Sequence, residues 1–138
     1  MEKLTLLNAL INEESLIDTK EKCLYIPDVS SHPYRVYGLQ IANLSNFTDK
    51  ELKEILQKEE TLTCYAMGHI PAPGTLSPNR MGFYSFETIS ANDSSVQPAE
   101  EIKEQYELFF TRYEESSSLS NLITEKEFIK NIMNNNNN

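Results

Sequence analysis

Apolar residues recur at helical spacing near both ends of the chain and fall in alternation or short runs in its middle, and that division sets the expected elements. Over residues 3–17, Leu4, Leu7 and Ile11 share one helical stripe that Leu6, Leu10 and Leu16 widen, with Glu13 and Glu14 outside it. The acid and lysine cluster at 18–22 ends this helix. Residues 23–26 then read as a short strand stopped by Pro27, residues 28–33 as a loop, and residues 34–42 as a second strand. In that strand Tyr37, Leu39 and Ile41 share a face and Gly38 is the weak point.

The sharpest local signal follows. Thr48 and Glu51 stand at capping-box spacing, with Phe47 and Leu52 placed as a hydrophobic staple, and predict a helix to about residue 59 whose inner face is Leu52, Ile55 and Leu56. A second box, Thr124 with Glu127 and the staple Ile123 and Phe128, predicts a final helix through residue 133. The two segments look alike because both solve the same capping problem.

Between them, residues 61–70 alternate. Leu62, Cys64, Ala66 and Ile70 lie on one side and Thr61, Thr63, Tyr65 and His69 on the other, the period of a half-buried strand, with Met67 the exception. Residues 81–89 are rich in β-favouring aromatics on both faces, which predicts a central strand or a bulge near Gly82. The loop joining these runs carries three prolines, so the expected pairing is antiparallel without a tight hairpin. Pro98 stands where a first helical residue commonly stands, and Ile102, Tyr106, Phe109, Phe110 and Tyr113 form a stripe behind it. The expectation is an α+β fold of order α-β-β-α-β-β-α-α, an antiparallel sheet of about four strands with helices packed on it. Residues 1–133 form one globular domain and residues 134–138 a disordered asparagine tail.

Composition narrows the partners. Twelve basic against 21 acidic residues give a net charge of −9, which repels phosphate backbones, so direct nucleic-acid binding is not expected. No apolar run is long enough to span a bilayer, and no cleavable export signal stands at the N-terminus, so the expectation is a cytoplasmic protein without a membrane role. In that setting Cys23 and Cys64 are buried thiols, and the Asn-x-Ser/Thr triplets at Asn43, Asn46 and Asn92 carry no sugar.

Candidate chemistry is sparse. A Cys64–His69 dyad fails on a regular strand, where residues five apart point to opposite faces. Cys23, His32, Cys64 and His69 lack the close ligand pairs of a zinc site, and no glycine-rich phosphate loop occurs, so no metal or cofactor is expected. What remains is surface: the stiff loop with His69, Pro71, Pro73, Leu76 and Pro78, and the acidic helix face with Glu100, Glu101, Glu104 and Glu107. The reading is a small acidic module that binds another protein, a basic surface being complementary to its charge, as an inhibitor, immunity protein or secretion-chaperone-like partner; a homodimer is compatible with it. The alternatives are a small enzyme using His69 with Cys64 or Tyr65, and an acidic mimic of nucleic acid.

Overall fold

A computed structural model of the protein describes residues 2–30, 34–68, 79–90 and 98–134. In chain order the elements are α1 (Lys3–Ile11), β1 (Leu16–Asp18), β2 (Cys23–Ser30), β3 (Tyr34–Asn43), α2 (Asp49–Lys58), α3 (Leu62–Gly68), β4 (Asn79–Ser90), α4 (Pro98–Glu114), a short 3-10 turn (Leu119–Asn121), β5 (Leu122–Thr124) and α5 (Glu125–Asn134). The class is α+β. The sheet runs β4-β3-β2-β1-β5 and every pairing is antiparallel.

The expected element order holds only in part, and three differences have local causes. First, α1 stops at Ile11 instead of running to residue 17. Glu13 turns left-handed at φ 64°, its amide donates to the Leu10 carbonyl and that of Glu14 to the Ala9 carbonyl, the two bonds of a Schellman ending made here without glycine. That releases residues 16–18 to form β1. Second, β2 passes through Pro27 to Ser30. Within β2, only Cys23, Leu24 and Tyr25 pair with β1, so Pro27 has no strand on that side and its missing N–H is tolerated. Third, residues 62–68 form a helix, not the strand that their alternation predicts.

Alternation along β1 feeds two cores. Leu16 and Ile17 are neighbours in sequence and point to opposite faces of the sheet, both wholly buried. On the Leu16 face, Leu6, Leu7 and Leu10 of α1 meet Tyr106, Phe109, Phe110 and Tyr113 of α4, with Leu39 and Leu122 beneath. This is the stripe that the spacing in α4 predicts. Tyr25 adds its ring 5.2 Å from that of Phe109, at a tilt. On the Ile17 face, Leu24, Ile26 and Ala42 lie under α2, α3 and α5 through Leu52, Ile55, Leu62, Tyr65, Ala66, Phe128 and Ile132.

Capping behaves as the sequence predicts at α2, where Thr48 Oγ1 accepts from the Glu51 amide and Glu51 Oε1 from the Thr48 amide. At α5 the Glu127 amide donates to Thr124 Oγ1. The staple residues Phe47 and Leu52 are buried, and Phe128 with partly buried Ile123 closes the same core. The register between β3 and β4 slips twice, leaving Met81 and Phe86 as the extra residues of β4. The first slip adjoins Gly82, where the apolar pattern places a bulge.

Candidate functional site

The ends of three elements meet at one cleft. The Schellman turn after α1 presents Glu13, Glu14 and Ser15; the approach to α3 presents Glu60, Thr61 and Thr63; the first turn of α5 presents Glu125 and Lys126, with Ile129 behind. They enclose about 500 Å³. Among the described residues, four carboxylates therefore face this space with a single lysine, Lys126, which already lies 3.9 Å from Glu14.

Glu125 forms the floor and is only 6% exposed. Its Oε2 accepts the Thr63 amide at 2.8 Å and its Oε1 accepts the Thr63 hydroxyl at 2.6 Å, while the Leu62 amide also donates to this carboxylate. Ser15 Oγ lies 2.8 Å from the Thr63 hydroxyl, and the Glu125 amide donates to the Ser15 carbonyl. Burial raises the Glu125 carboxyl above the ordinary carboxylate range; the hydrogen bonds from the Thr63 hydroxyl and amide and from the Leu62 amide pull the other way.

This arrangement explains the helix at 62–68. The first amides of a helix lack intrahelical partners. Here Glu125 takes those of Leu62 and Thr63, Thr61 Oγ1 takes that of Cys64, and the Tyr65 amide begins the ladder on the Thr61 carbonyl. Leu62, Tyr65 and Ala66 then share a buried face at spacings of three and four, so a helical period was present beside the strand period.

The helix also moves the residues proposed for chemistry. Cys64, expected on a buried strand face, is exposed. Tyr65, expected on the open side, is 5% exposed and sets its ring edge-on to Phe47, centroids 6.4 Å apart. Cys23 is half-buried, and its thiol is pushed up first by burial, then by the charges of Asp18 and Glu21. His69, Pro71, Pro73, Leu76 and Pro78 lie outside the described residues, as do His32 and tail residues 135–138. Glu100 and Glu101 fall in the first turn of α4, and Glu104 and Glu107 are exposed further along it. Glu104 and Glu107 do not line the cleft.

A second buried carboxylate is structural. Asp18 is 1% exposed; its Oδ1 accepts the amides of Lys20 and Glu21, which shapes the turn from β1 to β2, and its Oδ2 accepts the Tyr113 hydroxyl from α4. Burial and that hydrogen bond drive the Tyr113 phenol well above its ordinary value. The lysine and acid cluster after residue 17 is thus a hairpin turn, with Lys22 left-handed at φ 56° as its last residue.

Among the described residues no group of three His, Cys, Asp or Glu side chains is arranged to hold a metal ion, and no helix is long and apolar enough to cross a membrane. Comparison with protein-family models, with curated proteins and with solved structures finds no match. The sequence carried one overlooked sign of the cleft. Glu59 and Glu60 follow the C-terminus of α2, where the helix dipole disfavours acids, so their presence there called for a reason outside that helix.

Proposed function

We propose that the protein is a small acidic binding module that acts through its surface on a basic segment of another protein, in the manner of an inhibitor, an immunity protein or a secretion chaperone. The observation that carries this reading is the cleft: among the described residues, Glu13, Glu14, Glu60 and Glu125 face it against Lys126 alone, in a chain of net charge −9. Carboxylates accept hydrogen bonds and do not donate them, so the complementary ligand groups are ammonium and guanidinium ions. Long-range attraction from the rest of the acidic surface speeds encounter with such a partner and weakens as salt screens it.

The test compares three baits on an extract of the source cell at low and high ionic strength: the native chain, Glu13→Lys with Glu60→Lys, and Glu100, Glu101, Glu104 and Glu107 all changed to Gln. The reading expects a basic protein held by the native chain, released by salt, and lost from the cleft variant. Loss from the α4 variant instead moves the contact to that helix. Equal retention by all three baits, or a captured protein without a basic segment, overturns the reading.

A further inference from the structure

A helix of seven residues is not stable by itself in water, since the cost of nucleation exceeds what two turns return. Leu62–Gly68 is such a helix, and its composition adds little support: Thr63, Cys64 and Tyr65 rank low as helix formers and Gly68 lower still. Its backbone start has one local cap, Thr61 Oγ1 on the Cys64 amide, and otherwise depends on a carboxylate from α5, 62 residues away from Thr63. Its other anchors are the inward side chains Leu62, Tyr65 and Ala66.

We propose that α3 is a conditional element, a strap that Glu125 latches onto the sheet and that opens as a unit while β1, β2, β3 and α4 stay folded. The latch is one group. When the Glu125 carboxylate leaves, the Leu62 and Thr63 amides and the Thr63 hydroxyl lose their acceptor together, and the Ser15 hydroxyl loses the oriented partner that joins the strap to β1. α4 packs on the opposite face of the sheet and takes no part in these bonds. Opening exposes the apolar surface of Leu52, Ile55 and Phe47 and removes Thr61 and Thr63 from the cleft wall. A ligand that touches Thr61 and Thr63 in the cleft therefore also holds the strap shut, because it binds the closed form better than the open one.

Amide hydrogen exchange on the intact native chain tests this without a variant. Across a series of low urea concentrations, the amides of residues 64–68 are expected to open with a shallower denaturant dependence and at least tenfold faster than those of residues 24–26 and 39–42. In Glu125→Ala the strap amides are expected to exchange at least a further tenfold faster, with α4 unchanged; Glu125→Gln, which keeps one acceptor oxygen, falls between. Strap amides that open only with the whole molecule overturn the proposal. Unchanged strap exchange in a folded Glu125→Ala chain overturns it as well.

Discussion

The two faces of the sheet are built on different principles. One is covered by two helices, α1 and α4, whose apolar stripes interlock; aromatic rings of α4 and β2 fill it, and Phe109 alone lies within 5.2 to 6.0 Å of the rings of Tyr25, Phe110 and Tyr113. The other is covered by three helices of ten residues or fewer, whose positions are set by the capping box of α2, the Thr124 cap of α5 and the Glu125 network as well as by packing. Burial of large rings stabilises in proportion to area and needs no partner group, whereas a short helix held by a few directed bonds is lost when one of them is removed. The aromatic face should therefore fail globally and the capped face piecewise.

The largest effect is expected from Phe110→Ala. The ring is fully buried, and its removal should cost about 3–5 kcal/mol in urea denaturation, with all probes of structure moving together. Leu62→Ala removes comparable apolar volume on the capped face, but its first consequence should be faster exchange of α3 ahead of the global transition. If both variants lose stability in the same cooperative way, the contrast between the faces is wrong.

Tyr113→Phe leaves Asp18 Oδ2 buried without the hydroxyl that donates to it, at an expected cost of about 1–3 kcal/mol. Thr48→Ala removes one half of the α2 capping box, and about 1 kcal/mol should be lost in thermal denaturation, with exchange quickened at the start of α2 first. Glu13→Gly goes the other way. It relieves a left-handed residue and should gain up to about 1 kcal/mol, less the added freedom of glycine in the unfolded chain.

The pH response isolates Glu125. Its proton is held more tightly in the fold than in the unfolded chain, so the stability it contributes is fully present below the ordinary value of 4.5 and is lost as pH rises through the folded value. The urea midpoint of the native chain relative to Glu125→Gln should therefore fall as pH rises above 4.5 and level off once the folded carboxyl has lost its proton. A difference that stays flat across that range removes burial as the dominant influence on this carboxylate.

How legible each region was follows from the same contrast. The stripe of α4, the box at Thr48 and the start of α5 depend on residues within two turns of one another, and each is readable from spacing alone. The strands β1 and β5 have three residues each, too few to display a period, and residues 16–17 merge into the helical pattern that precedes them. Residues 61–68 offered two periods at once. The alternation of Leu62, Cys64 and Ala66 was the more regular, and the choice fell to a glutamate at the far end of the chain. The cleft was hidden for the same reason, since its walls come from three separated segments and Glu125 reads locally as an ordinary first-turn acid.

The pairing of β5 with β1 has a consequence for synthesis. A polypeptide that emerges from the ribosome amino end first exposes residues 16–18 early, with one side of that strand open until residues 122–124 appear. Until then the nascent chain carries a bare ribbon border beside unburied leucines, and a holding factor that covers such borders should engage it during translation and let go once residues 122–124 have emerged.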